Sequence, residues 1–356
     1  MKKYLLVFAS LLVFMQAGAQ ITITKKGKAK ARIVCADSEK ATTDAAALFK
    51  DFVNRISGAD LTISHDDKVK SGDIVLGSTA PAVGEDGFNI TCTKNVLNIR
   101  GNNRGAVYGV CEVLEKYLGV DYLAYKLCKF EKNPDITLPY ISDAQTPAFA
   151  FRQTFSYGDD DPIFKDWFRL EHHKDIFIDD MWVHTFNKIM PASVFGKEHP
   201  EYYSMIRGKR QPGDHSQWCL SNPEVFKVAC HQLDSIFAAH PEKDMIAISQ
   251  NDGNDTYCTC DACKKIYEEE GAVSGAYVRF LNKLAAHYPD KKFMTLAYLF
   301  TMNPPKHVKP LPNVYIMLCD IDVKREVALT DNASGQAFVR AIEGWSKITE
   351  NIFTWD

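Results

Sequence analysis

A small α/β domain followed by a parallel α/β barrel is the fold class this sequence predicts, and three observations carry it. From Ala148 onward, short apolar runs alternate with amphipathic helical stretches over roughly two hundred residues, the pattern of a parallel sheet. The apolar run Met245–Ser249 stops abruptly at Gln250-Asn251-Asp252-Gly253, as a strand buried on both faces does where it meets a polar loop. No glycine-rich phosphate loop follows the first strand, which argues against a dinucleotide-binding sheet. The second half therefore reads as a (β/α)8-type TIM barrel over 148–356, apparently truncated before its last strand, because only seven candidate strands are found.

The chain has 356 residues, 46% of them hydrophobic and 24% charged, with a formal net charge of −3. That is the composition of an ordinary globular protein with room for a large core. Acids and bases are mixed along the chain, so the basic stripe that nucleic acid requires is missing and no nucleic-acid partner is expected. Lys2 and Lys3, the apolar stretch Tyr4–Met15 and the small residues Ala17-Gly18-Ala19 read as a cleaved signal peptide over 1–19. The apolar stretch is too short to span a bilayer, and no later segment is a transmembrane candidate. A secreted or periplasmic protein starting near Gln20 is the expectation.

Residues 20–140 read as the α/β domain. Ile21–Thr24 and Arg32–Ala36 are strand-like. Ala41–Ile56 places Ala45, Leu48, Phe49, Phe52, Val53 and Ile56 on one helical face and stops at Gly58. Asp73–Gly77 is a short buried strand, Phe88–Cys92 and Val96–Arg100 a hairpin turning at Lys94-Asn95, and Arg104–Leu118 a second amphipathic helix. Asp121–Leu123 returns to strand. Asp135–Thr146, bracketed by prolines, reads as a linker.

Beyond it, the candidate barrel strands are Phe149–Ser156, Met181–Met190, Gln217–Leu220, Asp244–Ser249, Phe293–Tyr298, Val314–Leu318 and Ile352–Trp355. Helices are predicted over Pro223–Phe237, Ser274–His287 and Gly335–Ile348. Pro223 suits a first helical turn, where its missing N–H costs nothing.

Two sets of motifs carry a resemblance. The run Ile99-Arg-Gly-Asn-Asn-Arg-Gly-Ala-Val-Tyr-Gly-Val110, continuing to Leu118-Gly119, resembles the small domain that precedes the barrel in α-glucuronidases and β-N-acetylhexosaminidases. Its small residues Gly105, Ala106 and Gly109 would let the helix lie close on the sheet. The barrel half resembles a family of secreted bacterial domains of unknown function (number 4838), itself similar to glycoside hydrolases. That resemblance rests on Trp182-Val-His-Thr-Phe186, His199-Pro-Glu-Tyr-Tyr203, Gly208-Lys-Arg210, Cys219-Leu-Ser-Asn-Pro223, Ser249-Gln-Asn-Asp-Gly253, Ala297-Tyr298, Pro304-Pro305, Gly344-Trp345 and Trp355-Asp356.

Glycoside hydrolysis generally needs two carboxyl groups flanking the scissile bond, one of them kept protonated. Asp252 is the expected acid or acid/base, because the resemblance implies paired acidic residues at this strand end; here the pair is Asn251-Asp252. Asp320, Asp322 or Asp356 would supply the second carboxylate. Arg152, His184, Asn251 and Tyr298 are the expected polar contacts to an oligosaccharide or polysaccharide, with Trp182 and Trp355 as flat faces for sugar rings. The alternative is a glycan-binding protein without turnover, or an inactive truncated relative. Asn251-Asp252 before Gly253 also fits a plain turn cap, and the tryptophans also fit a core. The acidic run Asp159–Asp161 reads as a solvated loop.

The chemistry requires no cofactor. Asn251-Asp-Gly-Asn-Asp255 superficially suggests a calcium loop, but the twelfth position from Asp252 is Cys263 in place of Glu, so the EF-hand reading fails. Of ten cysteines, Cys258, Cys260 and Cys263 alone are closely spaced. With Cys219 as a fourth group they fit structural zinc or a disulfide clamp, and a redox role is a third reading.

Overall fold

The computed structural model describes residues 21–356 apart from 66, 67, 94, 155–157, 159 and 171–175. The expected signal peptide, Lys94 of the hairpin turn, Asp159 of the acidic loop and the end of the first expected barrel strand lie outside the described residues. The chain divides into two compact units, 1–171 and 172–356.

The first unit is built on a six-stranded sheet in the order Ile141–Gln145, Phe88–Thr93, Val96–Gly101, Ile74–Gly77, Ile33–Cys35, Ile63–Ser64. The helices Lys40–Ser57 and Gly105–Leu118 contribute their apolar faces to its core, among them Phe49, Phe52, Val107 and Val110. Each helix ends where a glycine takes the left-handed backbone, Gly58 at φ 79° and Gly119 at φ 65°.

Two expectations are corrected here. The segment read as a linker supplies the edge strand Ile141–Gln145, whose Ile141 lies opposite Cys92. Residues 149–154 form no barrel strand, and the helix Pro162–Phe168 packs with the first unit instead of opening the barrel at 148. The reason is Trp167, which is buried against Tyr122 and Phe52 at ring distances of 5.4 and 5.6 Å. Asp161 caps this helix, accepting from the Ile163 N–H, and also accepts from the Tyr122 hydroxyl at 2.6 Å.

The second unit carries a four-stranded parallel sheet in chain order: Met245–Ala247, Lys292–Ala297, Val314–Cys319 and Ile352–Trp355. A fifth segment joins its edge. Phe177 forms a parallel bridge with Met245, the Ile178 N–H donates to the Met245 carbonyl, and the Ala247 N–H donates to the Met181 carbonyl. Expected strand two is thus displaced toward the N-terminus, and Phe186–Ile189 is helical. Expected strand three, Gln217–Leu220, makes a single antiparallel bridge, Trp218 to Tyr203, and does not enter the sheet. Its residues are held by side chains: Trp218 stacks on Phe186 at 4.0 Å and 4°. Among the described residues the ladder is open, so the closed barrel is not formed by backbone hydrogen bonds.

The sheet nevertheless curls. Four strand spacings in a flat sheet would separate its first and last members by about 19 Å. Yet the rings of Phe177 and Phe353, from opposite edges, lie 6.1 Å apart, and those of Trp182 and Trp355 lie 5.2 Å apart. The helices Pro223–Ala239 and Ser274–His287 cover the sheet with Val225, Leu233, Phe280 and Leu284. Asn222 caps the first of these by accepting from the Glu224 N–H. No described helix is long and apolar enough to cross a membrane.

One close approach in the first unit is testable. A Cβ on Gly105 would lie 2.1 Å from the Gly87 carbonyl oxygen, and one on Gly109 would lie 2.6 Å from Ile99 Cγ2. Backbone cannot retreat as a side chain can, so Gly105→Ala is expected to lose about 2 kcal/mol or more in urea unfolding of the full chain. An unchanged midpoint would mean that the helix does not lie this close to the strand.

Candidate functional site

The site begins where the strand Met245–Ala247 ends. Ile248, Ser249, Gln250 and Asn251 stay buried beyond it. Thr185 holds this tip from one side: its hydroxyl donates to the Ala247 carbonyl at 2.7 Å and accepts from the Ser249 N–H at 3.1 Å. This anchors the turn that carries Trp182 and His184. His184 has φ 50°, an uncommon value for a side-chain-bearing residue. Its Nδ1 lies 2.7 Å from the Gln250 carbonyl. A carbonyl can only accept, so Nδ1 carries a proton and Nε2 is the ring nitrogen free to face the site.

Gln217 holds the tip from the other side. Its Oε1 accepts from the Asn251 N–H and its Nε2 donates to the Asn251 carbonyl, both at 2.8 Å. The Asn251 side chain is equally committed. Oδ1 accepts from the Asn187 N–H at 3.0 Å and Nδ2 donates to the Ser216 carbonyl at 2.8 Å. Asn251 is 6% exposed, and these partners make it a brace for the loop.

That brace leaves Asp252 outside. Asp252 is exposed, and its Oδ1 accepts from the Tyr298 hydroxyl at 3.2 Å. Burial, together with the Asp252 charge and hydrogen bond, pushes the Tyr298 phenol up to about 12. Tyr298 is thus a fixed hydroxyl donor beside a carboxylate.

A cavity of about 180 Å³ opens at these strand ends, lined by His184, Tyr298, Asp320, Arg325, Trp355 and Asp356 among others. Asp320 follows Val314–Cys319, and its N–H donates to the Trp355 carbonyl, so two strand ends meet there. Arg325 forks across the acids: Nη2 donates to Asp320 at 2.8 Å and Nε to Asp356 at 3.2 Å. Burial, and then the hydrogen bond and charge of Asp356, hold the Asp320 carboxyl above the ordinary carboxylate range, with Arg325 opposing. The negative charge of Asp356 thus opposes ionisation of Asp320, while Arg325 favours it. Trp182 reaches the cavity wall through its ring contact with Trp355.

The remaining candidates fall elsewhere. Asp322 is exposed on the loop and does not line the cavity. Arg152 belongs to the first unit, where it donates to Asp86 at 2.9 Å and to the carbonyls of Phe149 and Arg169. It is a structural tie in that unit. Sequence reasoning did not find Arg325, which lies in a charged loop without periodicity. It also missed Gln217, an amide inside an apolar stretch. The four cysteines do assemble: the sulfurs of Cys219, Cys258, Cys260 and Cys263 all lie within 4.8 Å of one another.

Fold and site together define a two-part α/β protein whose polar groups gather at the carboxyl ends of a curled parallel sheet, the place where barrel enzymes carry their chemistry. The chain belongs to the family Domain of unknown function (DUF4838), whose model matches residues 128–356. Among solved structures, it is similar to the GH20 beta-N-acetylhexosaminidase of Streptomyces coelicolor A3(2), at TM-score 0.50 and 13% identity, over 95% of this chain and 72% of that one. It is also similar to N-acetyl-beta-hexosaminidase of Streptomyces plicatus in complex with Thio-NAglucal (TM-score 0.47, 12% identity, 95% and 71% covered). The beta-N-acetylhexosaminidase of Bacteroides fragilis NCTC 9343 gives TM-score 0.43 and 9% identity, over 94% and 72%. The Streptomyces coelicolor match is a likeness of fold. No curated protein sequence matches.

The brace at Asn251 makes a prediction. Asn251→Ala removes the partners of the Asn187 N–H and the Ser216 carbonyl, and is expected to lose about 1–3 kcal/mol of stability. Thermal melts of the purified chain measure this. A melt like that of the unaltered chain would return Asn251 to the list of substrate contacts.

Proposed function

We propose that this chain is a glycoside hydrolase-like protein that takes one terminal sugar of an oligosaccharide or polysaccharide into the cavity at the strand ends. The observation that carries the reading is the convergence of His184, Tyr298, Asp320, Trp355 and Asp356, from separate strand ends, on one small polar and aromatic cavity. Its volume is worth about six water molecules, in the range of a single sugar ring. Carboxylates, a guanidinium and an imidazole suit the paired donor and acceptor character of sugar hydroxyls. An indole face suits the apolar face of the ring. The curled parallel sheet is read here as an arc of a (β/α)8 barrel, in keeping with the hexosaminidase-like fold. The leader expected over 1–19 supports a site of action outside the cytoplasm.

In this reading the roles differ from those expected from sequence. Asp320, whose carboxyl burial and the neighbouring Asp356 hold above the ordinary carboxylate range, is the proton donor. As the glycosidic C–O bond breaks, the leaving oxygen takes that proton. Water adds to the anomeric carbon and gives up its own proton to the Asp252 carboxylate, which Tyr298 positions. The second reading, binding without turnover, is favoured by Asn251. Its amide both accepts from the Asn187 N–H and donates to the Ser216 carbonyl, so it offers no second carboxylate beside Asp252.

The test is release of sugar from a panel of glycans and aryl glycosides, followed across pH. Asp320→Asn and Asp252→Asn are each expected to lower kcat by about 10²–10⁴. A proton donor whose pKa is raised sets the basic limb of the profile above the ordinary carboxylate range, with activity falling as pH rises through it. Asp356→Asn removes a neighbouring negative charge and is expected to shift that limb to lower pH. Saturable binding of the same glycans with no turnover would establish the second reading. A basic limb unmoved by Asp356→Asn would remove the carboxyl pair from the mechanism.

A further inference from the structure

Outside the cavity, the metal-binding side chains that gather most closely among the described residues are the thiol cluster. Cys219 Sγ lies 3.7 Å from Cys260 Sγ and 4.0 Å from Cys263 Sγ. Sulfurs placed tetrahedrally around zinc at ~2.3 Å are about 3.8 Å apart, whereas a disulfide brings them to about 2.05 Å. Among the described residues no pair of cysteine sulfurs lies at disulfide distance. Four sulfurs within 4.8 Å therefore have the spacing of a closed tetrathiolate shell and not that of bonded pairs.

The surroundings suit the excess negative charge that four thiolates leave on a divalent ion. Cys258 Sγ receives the Met205 N–H at 3.3 Å and faces Arg210 Nη1 at 3.5 Å. Both donors come from the short hairpin Met205–Ile206 and Lys209–Arg210, which turns at Gly208 with φ 79°. Cys260 is the N-cap of the helix Asp261–Glu270, and Cys263 sits in its first turn, where the helix dipole is positive. Ser221 Oγ lies 3.1 Å from Cys263 Sγ. Thr259 ties the cluster back to the hairpin, its N–H donating to the Met205 carbonyl at 2.8 Å.

We propose that Cys219, Cys258, Cys260 and Cys263 bind one structural zinc ion, with Met205 and Arg210 as outer donors. The ion joins two segments far apart in sequence, the stretch at Cys219 ahead of the helix Pro223–Ala239 and the Cys258–Cys263 turn, with the hairpin attached through its outer donors. It thereby fixes the C-terminal end of the loop whose other end is braced at Asn251 and Gln217. Asp252 sits between the two anchors. The site is independent of whether the cavity turns over a glycan.

The experiment uses the full chain purified under reducing conditions without chelator. Elemental analysis is expected to find one zinc per chain, and Cys219→Ser or Cys263→Ser to lower that content at least tenfold. Because either variant could fold poorly, the unaltered chain is also stripped and reloaded with Co²⁺. Intense visible absorption of cobalt in a tetrahedral thiolate site is expected, abolished stoichiometrically by Zn²⁺. Alkylation of a second preparation, purified without reductant and then denatured and treated with chelator, should label all four cysteines. A linked pair among them, or a chain that takes up neither ion at micromolar concentration, overturns the proposal.

Discussion

The curl of the parallel sheet is the constraint on which the second unit depends. Phe177 and Phe353 come from opposite edges yet their rings approach to 6.1 Å, with Trp182 and Trp355 closing in the same way toward the strand ends. A flat sheet would spread the tips of its strands along a line. Curling turns that line into a cup, so that loops following different strands present their polar groups to one small volume. The aromatic side chains filling the interior hold the curvature by packing, because interior voids are costly.

The cup is polar because the strand ends are completed by side chains. Thr185 and Gln217 supply the donors and acceptors that a neighbouring strand would otherwise provide to residues 247–251. A buried backbone group must find a partner, and here amides and hydroxyls serve. The consequence is a division of labour within one dipeptide. Asn251 is drawn inward to satisfy backbone groups, and Asp252 is left outside to meet Tyr298.

Much of this was legible in the sequence, for physical reasons that differ by residue. The strands around Val314 and Ile352 are apolar runs bounded by polar turns, and such runs have few other places to go. Tyr298, Asp320 and Trp355 could be placed at strand ends because each directly follows or closes such a run. Phe149–Ser156 has the composition of a strand, but Trp167 draws the neighbouring helix into the first unit's core and Arg152 pairs with Asp86 of that unit. Gln217–Leu220 looked like a strand for the same reason, but Trp218 packs by its ring on Phe186 and the backbone stays out of the sheet. Asn251 was read as a ligand because an amide that braces a loop and one that binds a sugar are the same residue type. Only its partners distinguish them. Arg325 lies in a loop without periodicity, where spacing says little about direction.

The central claim is that the cavity beside Trp355 receives a sugar ring, and intrinsic tryptophan fluorescence tests it most directly. Titrating simple monosaccharides and N-acetylhexosamines into the full chain should give a saturable change for at least one sugar, abolished by Trp355→Phe together with Trp182→Phe. A flat response to every sugar, in a chain whose melt shows it folded, would contradict the account.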